Sequence, residues 1–99
     1  MLNQVTVEGT LHRFLPLRHT PAGIPVLSCE LEHESEQSIG EMTRKIRCEV
    51  EVIAAGTVAR SLSACPEGSL VTLKGCLANR SMRSSRLVLH VQSVELKKV

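Results

Sequence analysis

Three arginines, Arg80, Arg83 and Arg86, stand in the run Leu77–Arg86 with serines, a methionine and no acid, between two stretches rich in Val and Leu. A guanidinium is a permanently charged, planar group whose donors match phosphate oxygens in pairs. A turn-rich cationic loop carried between two strands is therefore chemistry for gripping a phosphate backbone. The charge around it is segregated. Residues 68–94 contain Lys74, Arg80, Arg83 and Arg86 but no Asp or Glu, whereas Glu30, Glu32, Glu34, Glu36 and Glu41 crowd into residues 30–41 without a single Lys or Arg. A formal net charge of only +2 hides this separation, and separated charge creates the local field that captures a polyanion. The bland alternative is a basic loop that is merely solvated.

Other chemistry finds little footing. There is no Asp anywhere, no phosphate-cradling G-x-x-x-x-G-K-[ST] run, and the glycines at 9, 23, 40, 56, 68 and 75 never cluster, so no catalytic residues and no cofactor are expected. Cys29, Cys48, Cys65 and Cys76 form no C-x-x-C pair, and only Cys29 has a histidine near it, His33. A metal site is therefore not expected. Cys29 and Cys48 fall in phase with apolar neighbours and read as small buried hydrophobes kept reduced. His33 and His90 read as ordinary hydrogen-bonding groups.

The elements that must carry the arginines follow from periodicity. Val5, Val7, Gly9 and Leu11 alternate with polar residues and predict a first strand. Pro16 and the run Thr20–Pro25 mark a turn. Val26–Glu34 predicts a second strand with Leu27, Cys29 and Leu31 inward, and Ser35–Thr43 reads as a loop. A third strand runs from about Arg44 to Ile53, with Ile46, Cys48, Val50 and Val52 on one face and Lys45, Arg47, Glu49 and Glu51 on the other. Val58, Ala59, Leu62 and Cys65 have helical spacing, stopped by Pro66 and Gly68. Leu70–Leu77 and Leu87–Leu96 predict strands four and five, with Gly75 marking a bend or a close backbone approach.

The 99 residues make one domain, 1–99, with 42 % hydrophobic residues but 1 % aromatic, Phe14 being the only ring of that class. No stretch approaches the roughly 20 apolar residues that cross a bilayer, and the start lacks a basic and then apolar leader. The expectation is a soluble, cytoplasmic chain with no membrane partner. The order βββ-α-ββ predicts an all-β, five-stranded OB-fold barrel with one short helix between strands three and four. In that architecture the face of strands two and three and the loops between strands one and two and strands four and five commonly hold oligonucleotides.

Val5–Leu11, Pro21–Pro25, Glu30–His33, Arg44–Cys48 and Val88–Val91, in this order and at these separations, resemble the bacterial primosomal replication protein N (PriB) family over nearly the whole chain. Val52–Ala59 and Glu67–Leu77 are similar to the OB domain of single-stranded DNA-binding protein, to which that family is related. The resemblance implies a homodimer that binds single-stranded DNA, joins the PriA helicase and other primosome proteins when replication restarts, and performs no catalysis. Carried over by position, it implies a DNA surface of Arg80, Arg83 and Arg86 in the loop, with Met42, Arg44, Lys45 and Arg47 near strands two and three; Lys74 completes the cationic set. In the best-known type of the family aromatic residues stand where this chain has Met42 and Arg47, so the balance here shifts from base stacking to charge. An arginine can still lay its guanidinium plane on a base. Lys45 and Arg47 have another reading, pairing across the sheet with Glu49, Glu51 or a glutamate of strand two. Two further function classes stay open: a protein-interaction OB subunit with little DNA binding of its own, and an RNA-binding OB module, which would normally display exposed aromatics.

Overall fold

A computed structural model describes residues 1–97. The strands are β1 (Val5–His12), β2 (Arg18–His19), β3 (Pro25–Ile39), β4 (Met42–Ala55), β5 (Leu70–Asn79) and β6 (Leu87–Leu96), with helix α1 (Thr57–Ser63) between β4 and β5. Neighbours run β1-β5-β6-β4-β3, and a second pairing of β1 with β3 closes the ring, with β2 as a two-residue appendix on β3. The chain is thus an OB-fold barrel of five strands with one short helix.

Closure depends on β1 changing partner. Its residues Val5 to Thr10 pair with β5, and Thr10 to His12 pair with β3. Gly9 sits at the crossover, where a Cβ would collide with the Glu32 carbonyl oxygen; only glycine lets the two backbones approach so closely. Gly75 serves the same purpose between β5 and β6. A register shift lies between Lys74 and Gly75, and a Cβ at Gly75 would strike the His90 carbonyl. The other side closes through a short parallel contact, Val52 with Leu89 and Ile53 with His90.

The core follows the alternation. Leu11, Leu27, Cys29, Leu31, Val52, Ala54, Val71, Leu73, Leu89 and Val91 point inward, and Ala59 and Leu62 of α1 join the same cluster. Gly56, with φ of 69°, turns the chain from β4 into α1, a conformation that glycine adopts without steric penalty. Burial raises the Cys29 thiol to about 11.

Two expectations need correction. Ser35–Thr43 is not a loop: β3 and β4 stay paired from Val26↔Ala55 to Ile39↔Met42, turning only at Gly40 and Glu41. Gly40, with φ of 65°, occupies the first turn position that a two-residue hairpin gives to glycine. The far half of this hairpin leaves the barrel, so its side chains from Glu36 to Lys45 are exposed on both faces. Cys48 is accordingly exposed rather than buried, because the inward phase of β4 beyond Val50 has no barrel beneath it. The two-residue strand β2 adds a sixth member to the sheet at the edge of β3 and leaves the expected five-stranded barrel as it is.

Candidate nucleic-acid interface

The outer face of β3 and β4 carries a ladder of cross-strand pairs, from Ser28↔Ile53 through Glu30↔Glu51, Glu32↔Glu49 and Glu34↔Arg47 to Glu36↔Lys45. Like charges directly opposite one another destabilise a sheet, and arginines from outside the ladder relieve them here. Arg13, with φ of 53° just past the end of β1, donates from Nη1 to Glu30 Oε2 at 2.6 Å and to Glu49 Oε2 at 3.1 Å. The hydrogen bond to Glu30, then the charges of Glu30 and Glu49, raise the pKa of the Arg13 guanidinium. Arg80 donates from Nη1 to Glu51 Oε1 at 2.9 Å, and Arg86 Nε lies 3.0 Å from Glu51 Oε2.

These contacts set the cationic loop down on the barrel. Residues 80–86 link β5 to β6, and Arg80 N–H donates to the Arg86 carbonyl at 2.9 Å, drawing the two ends of the loop together. Within it Ser84 N–H donates to the Ser81 carbonyl, and Arg86 N–H to Ser84 Oγ. Met82 is fully exposed on this turn and Arg83 is exposed beside it. Arg83 has no carboxylate within ion-pair distance among the described residues, unlike Arg80 and Arg86.

Facing the loop across the ladder is the segment 13–24. Arg13, Leu15, Ser28, Glu30, Glu51 and Arg86 line one depression. Arg18 and Arg80 line a neighbouring one with Leu15, Pro16 and Ser28. Together they form a groove with arginines on both banks and Glu30 and Glu51 in its floor. Of the loop arginines anticipated from sequence, Arg80 and Arg86 therefore come together with the β3–β4 face, and Arg83 does not. Arg13 and Arg18 were missed; they stand singly in a stretch rich in apolar residues, and only the course of the segment after β1 along the edge of β3 brings them to the groove.

The remaining predicted residues divide. Lys45 Nζ is 3.4 Å and Arg47 Nε 3.9 Å from the Glu34 carboxylate, so the pairing with a glutamate of the second predicted strand is realised, and Glu49 and Glu51 are instead taken by Arg13, Arg80 and Arg86. The two pairs with Glu34 are largely exposed, and each contributes little to stability. Met42 and Arg44 belong to the other face of the hairpin, opposite Ile39 and Gln37, and do not form one patch with Lys45 and Arg47. Lys74 lies on the outer wall of β5 between Thr6 and Ser93, two strands around the barrel from both β3 and β4. His33 Nδ1–H donates to the Glu8 carbonyl, 2.6 Å away, and Nε2 pairs with the Ser35 hydroxyl at 2.8 Å, which is the hydrogen-bonding role anticipated for it.

Comparison with known proteins places this geometry. A family model described as "Another single-strand binding protein family" matches residues 3–93. The replication restart protein PriB of Nitrosomonas europaea is 34 % identical over 94 residues, 95 % of this chain and 87 % of that protein. PriB of Neisseria gonorrhoeae is 32 % identical over 93 residues, 94 % of this chain and 92 % of the relative. Among solved structures, PriB from Ralstonia solanacearum superposes with a TM-score of 0.89 at 26 % identity, covering 99 % of this chain and all of that one. The single-stranded DNA binding protein of Thermus aquaticus shares the fold, with a TM-score of 0.80 at 21 % identity over 98 % of this chain and 51 % of that one. The chain belongs to the PriB replication restart proteins, within the single-strand binding family.

Proposed function

We propose that this protein binds single-stranded DNA in the groove between segment 13–24 and loop 80–86, and that it does so as a homodimer that links DNA to the PriA helicase and other primosome proteins during replication restart. The observation that carries the reading is the convergence of Arg13, Arg18, Arg80 and Arg86 on the β3–β4 face, supported by the family to which the chain belongs. The described groove contains no Trp or Tyr, since the chain has neither. Affinity then rests on guanidinium–phosphate contacts, with Arg83 reaching outward, and base identity matters little. The whole chain acts as a single domain, and the reading assigns it no catalytic step.

A second reading has its own support. Glutamates already neutralise most of the groove's arginines, as expected of a subunit whose main work is contact with another protein. Fluorescence anisotropy of a labelled oligo-dT at two salt concentrations, with and without PriA, separates the two. Binding that weakens steeply with salt supports DNA contact. Capture of PriA with no DNA binding at low salt supports the interaction subunit.

A further inference from the structure

We propose that Glu51 is a built-in competitor for the phosphate backbone, setting the affinity of the arginine loop below what its charge would provide; this rests on the DNA-binding reading above. Two of the three loop arginines converge on this one carboxylate, Arg80 at 2.9 Å and Arg86 at 3.0 Å. A carboxylate offers a guanidinium the same pair of anionic oxygens that a phosphate does. The arginines remain reachable from solvent, with side chains 52 % and 64 % exposed, while Glu51 is only 20 % exposed beneath them. An incoming phosphate thus meets the guanidiniums from outside and finds a fixed negative charge directly behind them.

The two contacts differ in quality. Arg80 makes an aligned hydrogen bond to Oε1. Oε2 is buried without a hydrogen-bond partner, so Arg86 is held by proximity of charge rather than by a directed bond. Arg86 is therefore the cation that passes first to a phosphate, while Arg80 keeps the loop anchored. Glu51 also sits opposite Glu30, whose own charge is met by Arg13. Binding at this groove consequently exchanges one anionic partner for another, and its net gain is the difference between them.

Glu51→Gln tests this directly. The amide keeps an acceptor for Arg80 and removes the charge. Anisotropy of labelled oligo-dT should show Kd falling about three- to tenfold at low salt, with a steeper log–log salt slope and convergence with the wild type at high salt. Glu95→Gln, beside Thr72 at the end of β6 away from the loop, changes net charge equally and should leave Kd within about twofold, screening being effective over such distances. Weaker binding by Glu51→Gln would mean that Glu51 only positions the loop, and unchanged binding, or an equal gain in Glu95→Gln, would also overturn the inference while leaving DNA binding intact. If neither wild type nor variant bound the oligonucleotide at low salt, the DNA-binding reading would fall and the inference with it. Thermal melting accompanies each titration. Should Glu51→Gln fail to melt cooperatively, Glu51→Thr, a strand-forming residue at this outer position, takes its place with the same expectations.

Discussion

Two arginines of one loop differ in what they have to lose. Arg86 already faces Glu51, whereas Arg83 stands in solvent without a carboxylate partner among the described residues. Replacing Arg83 by Ala should weaken oligo-dT binding roughly two- to fivefold and lower the magnitude of the log–log salt slope by about 0.7, the value for one phosphate contact on a single strand. Lys74→Ala, around the barrel, should change neither. An anisotropy series with salt decides both, and equal effects at Lys74 and Arg83 would show that overall charge, not the groove, governs binding. At Cys29 the consequence is a pH dependence. Its thiol is raised from 9.0 to about 11 by burial, so the unfolded chain loses that proton first. The contribution to stability is complete below about pH 9 and is lost as the pH climbs from there to about 11. Iodoacetamide at pH 8 should accordingly label exposed Cys48 in the native protein and spare Cys29 until the chain unfolds, as mass spectrometry would reveal.

Among the elements, the β3–β4 hairpin shows two regimes in one pair of strands. Near the barrel it supplies Leu27, Cys29, Leu31, Val52 and Ala54 to the core; beyond Glu32 and Glu49 it supplies none. Replacing residues 36–45 by Asn-Gly joins Ser35 to Ile46, which already face each other across the ladder, through a turn that two-residue hairpins favour. The shortened chain should melt within about 5 °C of the original, an effect of roughly 1 kcal/mol or less for a domain of this size. A large fall in melting temperature would show that the projecting ribbon supports the barrel. The glycine crossings predict the opposite outcome. Gly75→Ala drives a methyl group into the His90 carbonyl, and overpacking against backbone rather than a yielding side chain should cost about 3 kcal/mol, read from the midpoint of denaturant unfolding.

For the molecule as a whole, the principal extents of 50 × 36 × 23 Å reflect a small barrel with a long ribbon standing out from it. Ile39 and Met42 are exposed near its tip, and a chain of 99 residues buries a modest core. Self-association would cover further apolar surface. Sedimentation at micromolar concentration should give twice the 10.8 kDa chain mass, and a single species at 10.8 kDa would refute the proposed dimer. If protein contact dominates its role, stimulation of PriA unwinding should persist when Arg80, Arg83 and Arg86 are all replaced by Ala. Loss of stimulation together with DNA binding would assign the effect to DNA capture.

Periodicity alone determined most of the barrel. The alternation of Val5 to Leu11, Leu27 to Leu31 and Val50 to Val52 is a local signal, because a half-buried strand must place apolar residues at every second position, and the helical spacing of Val58, Ala59 and Leu62 is equally local. Charge segregation likewise made the arginine loop legible. Residues 35–43 carried no such signal. Both faces of the projecting ribbon meet water, so nothing in their polarity separates a strand from a loop, and only the register inherited from the buried half of the hairpin extends the pairing to Ile39 and Met42. The same reason exposes Cys48, whose phase matches Val50 but whose position lies past the edge of the barrel. The groove is a tertiary product as well. Arg13 and Arg18 enter it because the segment after β1 runs on along the edge of β3, and Arg80 and Arg86 meet Glu51 because barrel closure sets β6 beside β4. Periodicity reports which face of an element a residue occupies; which distant charge it meets there is decided by how the elements close on one another.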